Sequence, residues 1–116
     1  MQNVYIREYM SLFVAVHKWK PEEFPAIMKE AMVLFTAVRE GKLPTGIELC
    51  STYMRDNGAF CVWVAPDQAI LEQLFDQHAP VMKKGTELVP VVQSYPPTME
   101  YVLFLWQTML AQAAPK

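Results

Sequence analysis

The stretch IELCSTYMRDNGAFCVWV, residues 47–64, decides the fold. Apolar and polar residues alternate on both sides of Asn57-Gly58, a dipeptide that marks hairpins because both residues tolerate the left-handed backbone of tight turns. The pattern predicts two antiparallel strands, 47–54 and 59–64, joined across Arg55-Asp56-Asn57-Gly58. An even loop puts Ile47, Leu49, Ser51 and Tyr53 on one face with Phe60, Val62 and Val64. The other face then gathers Glu48, Cys50, Thr52 and Met54 with Cys61 and Trp63, and a bulge would rearrange both sets.

Upstream of the hairpin, the period changes to that of a helix. Pro21 stands where helices begin, Glu22 and Glu23 suit the positive N-terminal end, and Phe24, Ile27, Met28, Ala31, Phe35 and Val38 follow at helical spacing. Pro25 falls within the first turn, where its missing N–H matters little, and Gly41 is the expected C-terminal cap. Further upstream, residues 4–19 alternate again. Val4, Ile6, Met10, Leu12, Val14 and Val16 form an aliphatic face expected against helices, and the mixed face carries Phe13, Ala15, His17 and Trp19.

Downstream, Asp67 is placed to cap a second helix with Ile70, Leu71, Leu74, Phe75 and His78 on one stripe, and Pro80 to stop it. Residues 87–95 read as a last strand whose Pro90 removes a ladder donor, which an edge position tolerates. The order is βαββαβ, that of an α+β, ferredoxin-like sandwich with an antiparallel sheet.

With 116 residues, 53% of them hydrophobic and 19% charged, the chain is expected to form a single domain with its own core, about 4–95. A net charge of −2 without a basic patch argues against nucleic acid as a partner. No signal-peptide pattern opens the sequence and no apolar run approaches a membrane span, so a cytoplasmic protein off the membrane is expected. Cys50 and Cys61 are too few for a disulfide scaffold and lack zinc-knuckle spacing, so reduced thiols and no metal are expected.

After Pro96-Pro97, Thr98 is placed to cap a helix over about 98–113. One stripe holds Met99, Val102, Leu103, Trp106 and Leu110, and Tyr101, Phe104 and Leu105 make the other side apolar too. A helix apolar all round needs cover on more than one side. Docking on a partner subunit, lidding a pocket, packing on its own domain and a swapped strand over 101–106 all remain open.

The run Phe13-Val14-Ala15-Val16 leading to Lys20-Pro21-Glu22, then Leu43-Pro44-Thr45-Gly46-Ile47, the hairpin residues Ser51-Thr52-Tyr53 and Asn57-Gly58-Ala59-Phe60, Ala65-Pro66-Asp67 and Val89-Pro90-Val91 together resemble a family of small domains of unknown function. That family belongs to the dimeric α/β-barrel superfamily of ferredoxin-like folds, and the resemblance covers roughly 12–92. The family usually carries a tryptophan near the position of His17, where this chain departs from it. The resemblance implies a homodimer formed through the free sheet face and a ligand-sized cavity between sheet and helices. Superfamily members oxygenate or isomerise small aromatic or polyketide-like molecules, degrade haem, or act as sensors.

His17 is the leading candidate for catalysis, since a neutral imidazole takes a proton or a metal near neutral pH. Its mixed strand face equally suits a dimer interface carrying Phe13, His17, Cys61 and Trp63. His78, expected at the end of the second helix, is the other candidate proton carrier, in a place where a cation meets the helix carbonyls. Haem-degrading members pair a histidine on the second helix with a tryptophan on the third strand, and His78 with Trp63 would match that pair. The first-strand asparagine those enzymes also use has no counterpart from Phe13 to Trp19. Phe13, Trp19, Tyr53, Cys61 and Trp63 are the expected ligand-binding residues, with Met28, Met32 and Met54 as adaptable apolar lining. A soft-metal set would need Cys50, Cys61, His17 and Glu48 to converge. Without cofactor motifs, two function classes stand. One is a small-molecule-binding dimer, with cofactor-independent monooxygenase or isomerase chemistry. The other is a non-enzymatic ligand-binding or interaction module.

Overall fold

The computed structural model describes residues 11–91 and 98–113. Strand β1 (Ser11–Lys18) leads through one 3-10 turn (Pro21–Glu23) into α1 (Phe24–Arg39). The hairpin follows as β2 (Glu48–Arg55) and β3 (Gly58–Ala65). Then come α2 (Gln68–His78), a short α3 (Pro80–Lys84), β4 (Thr86–Val91) and α4 (Met99–Ala113). The four strands form one antiparallel sheet in the order β2-β3-β1-β4, an α+β arrangement with ferredoxin-like connectivity. Pro90 does lie on an edge strand, β4, opposite Phe13 of β1. The expected strand residues 4–10 and 92–95 lie outside the described residues. Among the described residues, no helix is long and apolar enough to cross a membrane.

Local chemistry sets the helix ends. The Lys20 N–H donates to Glu23 Oε1 at 2.8 Å ahead of α1. At its other end Gly41 takes φ +68°, and the N–H groups of Lys42 and Gly41 return to the carbonyls of Ala37 and Val38 at 2.9 and 3.1 Å, a Schellman cap. Asp67 Oδ1 accepts the Ile70 N–H at 2.9 Å and starts α2. Pro80, expected only to stop that helix, also begins α3, because proline at a first helical position gives up no needed N–H.

The structure reverses the expected faces of β1. Phe13, Ala15 and His17 lie in the core with Ile27 and Leu34 of α1 and Leu71, Leu74 and Phe75 of α2, while Val14 and Val16 lie on the opposite face, half-buried. Both faces of this strand are apolar enough to be covered, and the helices cover the aromatic one, whose larger side chains remove more surface from water. A dimer interface carrying Phe13, His17, Cys61 and Trp63 is thereby overturned. All four are at most 3% exposed within a single chain.

The hairpin loop is even, with Arg55 opposite Gly58 and Asn57 at φ 53°. Gly58 must be glycine, since a Cβ there would collide with the carbonyl oxygen of His17 on the neighbouring strand. From Ser51 to Met54 the faces follow the even register, with Thr52 opposite Cys61 and Met54 opposite Ala59. A bulge at Cys50 then shifts the register, so that Leu49 pairs with Trp63 and packs on the core while Glu48 pairs with Val64. Glu48 therefore leaves the face that carries His17, contrary to the even-register expectation.

The segment α4 forms as expected, with Thr98 Oγ1 accepting the Tyr101 N–H at 3.2 Å. None of its residues is buried, and Leu103, Phe104, Trp106, Met109 and Leu110 are all exposed. The Cα radius of gyration is 16.3 Å, against about 13 Å for a compact domain of this length.

Candidate functional site

A cavity of about 390 Å³ lies between the sheet and the helices. From the sheet side it is lined by His17, Thr52, Met54, Ala59, Cys61 and Trp63, with Trp19 just beyond β1. Met28, Ala31, Met32, Leu34 and Phe35 of α1 form the opposite wall, and Phe75 of α2 and Met82 of α3 complete it. Met32 and Met54 are largely exposed and belong to the rim, while His17, Cys61 and Trp63 are buried. None of the lining residues other than His17 belongs to a charged type, so the site selects for apolar bodies.

His17 is the one buried polar or charged residue of the described core. Its Nδ1 lies 2.6 Å from Thr86 Oγ1, and the Thr86 hydroxyl donates its single proton to the Met82 carbonyl at 2.8 Å. Thr86 is thus left to accept, so His17 Nδ1 carries the proton and Nε2 is the bare nitrogen. Burial pushes the imidazole pKa down to about 4, which keeps it neutral at physiological pH. Its ring meets Phe75 in a T-shaped contact at 5.7 Å, and Trp63 meets the same Phe75 at 5.6 Å.

Two other groups complete the polar inventory. The Thr52 hydroxyl donates to Cys61 Sγ at 3.5 Å. Burial raises the Cys61 pKa against the smaller opposing effect of that bond, so the thiol stays protonated and is a poor nucleophile. Trp63 is 0% exposed, and its Nε1–H meets no acceptor among the described residues.

The structure thus brings His17, Trp19, Cys61 and Trp63 together around one cavity. Phe13 is buried in the core beside them, outside the lining. Tyr53 pairs with Phe60 on the far side of the sheet and is 61% exposed, so its phenol does not reach the cavity. His78 is exposed at the end of α2, while Phe75 one turn earlier is buried. Trp63 is fully buried, so the two residues do not share one enclosed site of the kind that the haem-degrading members use. The bulge at Cys50 separates Glu48 from His17 and Cys61, and among the described residues no three His, Cys, Asp or Glu gather in a way that would hold a metal. Sequence reading missed Thr86, which orients His17, and Met82, which anchors Thr86. Thr86 opens β4 directly opposite His17 in the β1–β4 register, a relation visible only once that pairing is known.

No family model and no curated protein matches the chain. Among solved structures it is similar to a conserved protein from Methanosarcina mazei Go1, with a TM-score of 0.54 at 16% identity, over 76% of this chain and 96% of that one. At that identity the likeness speaks to the fold alone.

Proposed function

We propose that this protein binds one small, mainly apolar molecule, aromatic or polyketide-like, between the sheet and α1. The observation that carries the reading is the cavity itself: about 390 Å³, without a charged wall, closed on one side by a neutral histidine of fixed tautomer. Ligand sites commonly span about 300–1,000 Å³, and a dry cavity of about 150 Å³ already admits benzene. A ligand with a two-ring body suits this one. Met32 and Met54 at the rim are flexible enough to admit it.

Proton transfer, as in a cofactor-independent monooxygenase or isomerase, is the second reading. It is favoured by the place of His17 in the cavity wall and by its tautomer, which leaves Nε2 without a proton. A pKa of about 4 weighs against it, since a general base works best when its pKa lies near the operating pH. Binding without catalysis needs only the shape. We further propose a homodimer of the dimeric α/β-barrel kind, assembled through the sheet face that carries Val14, Val16, Phe60 and Val62, opposite the cavity.

The test is ligand-induced stabilisation by substituted naphthalenes in the native protein and in the cavity-filling variant Ala31→Phe. Ligand at a hundred times its Kd stabilises the folded state by about 2.7 kcal/mol. The native protein should show a rise in melting temperature that the variant lacks. Equal stabilisation of both proteins would move the site elsewhere.

A further inference from the structure

We propose that α4 of a second copy closes the mouth of the cavity, so that the binding site is completed across the dimer with Trp106 of the partner subunit as its outer wall. This rests on the binding site and the homodimer proposed above and adds a residue contributed from the other chain. Each chain leaves two apolar surfaces uncovered. One is α4, where Leu103, Trp106 and Leu110 are exposed on one stripe and no residue is buried. The other is the cavity rim, where Met32 of α1, with Val33 beside it, and Met54 of β2 are exposed. Next to that rim, a second concavity lined by Met32, Phe35, Thr36 and Arg39 shares Met32 and Phe35 with the cavity and extends it along α1. Together they make a groove of the kind that receives a helix with an apolar stripe. The groove ends on a cation, Arg39, and α4 carries one charged residue, the anion Glu100 in its first turn. Both are exposed, and neither takes part in an ion pair among the described residues. With Glu100 against Arg39 and the two helices antiparallel, the spacings agree. At a rise of about 1.5 Å per residue, Trp106 lies about 9 Å along α4 from Glu100, and Met32 about 10.5 Å along α1 from Arg39. Leu103 then enters the concavity at Phe35, and Trp106 covers the mouth between Met32 and Met54.

The sheet order assigns this groove to the second copy. Strand β4, which leads to α4, is the edge opposite β2, and β2 supplies the rim while β4 supplies no lining residue. Pairing the two open sheet faces about an axis along the strands lays β4 of one copy beside β2 of the other and keeps the strand ends level. Strand β4 ends opposite Leu12. Strands β1 and β2 both run antiparallel to β3, so α1, which connects them, returns to that same end of the sheet and finishes there at Arg39. The start of α4 is therefore level with the Arg39 end of the groove. Residues 92–98, fully extended, reach about 25 Å, enough to pass from one sheet to the helix layer of the other copy across two layers of about 10 Å each. The axis makes two such contacts. A buried aromatic side chain removes about 150–250 Å² from water, so two tryptophans, with the leucines beside them and the rims they cover, pass the roughly 1,000 Å² of a specific interface.

The test is charge exchange in the full-length protein, read by sedimentation over a range of concentrations. Glu100→Arg and Arg39→Glu each place like charges in both contacts, and either variant alone should dimerise about tenfold more weakly than the native chain. Mixed in equal amounts, the two form a dimer with Glu100 facing Arg39 at one contact and the exchanged pair at the other. The mixture should therefore associate as tightly as the native protein. A helix that closed the cavity of its own chain would gain nothing from mixing, so a mixture no tighter than its parts would overturn the proposal. Trp106→Ala, a change at an exposed position that the core does not use, should weaken binding of 2-naphthol to the dimer about tenfold. Unchanged affinity would equally overturn the proposal. A native chain that dimerises while the mixture fails to recover leaves the sheet-face homodimer standing. A native chain that stays monomeric removes both, and a native dimer that does not bind 2-naphthol removes the binding site and its closure together.

Discussion

The carboxylate of Glu30, in the middle of α1, accepts two backbone N–H groups at the start of α3: Oε1 lies 2.9 Å from Met82 N, and Oε2 lies 2.9 Å from Val81 N. A side chain 52 residues away in sequence thus caps a helix too short to hold its own ends. The two bonds tie the α1 wall of the cavity to Met82, whose carbonyl holds the Thr86 hydroxyl and, through it, His17.

Replacing Glu30 should therefore disturb both stability and the site. Glu30→Ala removes the acceptor for two backbone donors and is expected to lower unfolding free energy by about 1–2 kcal/mol. Glu30→Gln keeps one oxygen and should recover part of that. Urea unfolding of the three proteins checks the order, and an alanine variant as stable as the parent would show the cap to be dispensable.

Burial of His17 makes a pH signature. Its pKa is about 4 in the folded state, against 6.5 for an exposed histidine. The unfolded chain therefore takes up a proton in a range where the native state does not. Stability should fall as pH drops from about 6.5 towards 4, by as much as about 3 kcal/mol, and no such loss is expected above 6.5. In His17→Gln that slope should flatten. Unfolding curves at several pH values would expose the opposite result, an unchanged slope, at once.

Much of this was legible in the chain because period and punctuation agreed. The hairpin, the Schellman-capped first helix, the Asp67 cap and the proline-bearing edge strand each combine a local signal with a place in the sheet that needs it. The direction in which β1 faces was not legible. Leu12, Val14 and Val16 look like the core side by hydropathy, and the polar imidazole of His17 looks like the outer side. The orientation turns on Thr86, a partner 69 residues away that makes burial of His17 tolerable. The bulge at Cys50 carries no glycine to announce it, and it alone decides that Leu49 rather than Glu48 faces the helices. Four of the residues expected at the site, His17, Trp19, Cys61 and Trp63, do line the cavity, since a strand's alternation was enough to group them.

Gly58 links the hairpin to His17. Its Cα stands opposite Lys18, and any Cβ would meet the His17 carbonyl oxygen. Backbone cannot yield there as a flexible side chain would, so Gly58→Ala should push β3 from β1 and lower stability by about 1–3 kcal/mol. A shift in denaturation midpoint of that size, with a weakened response to cavity ligands, is the expected outcome. An unchanged midpoint would mean that the strands part without cost.

The last prediction concerns α4. No residue of this helix is buried within one chain, and Leu103, Phe104, Trp106, Met109 and Leu110 together present a surface too apolar to be left in water. In the proposed homodimer that surface is covered by the second copy. Side chains of this size contribute about 1.5–3 kcal/mol each when buried. Removing residues 96–116 should therefore leave the unfolding of the dilute single chain nearly unchanged, because the core made by β1, β3, α1 and α2 does not draw on α4. It should also weaken the dimer held by the sheet face, and so reduce the rise of melting temperature with protein concentration. Sedimentation of both forms across a hundredfold concentration range tests this directly. A truncated chain that associates as tightly as the full-length one would assign the interface to the sheet face alone, and a full-length chain that sediments as a monomer would dismiss the second copy.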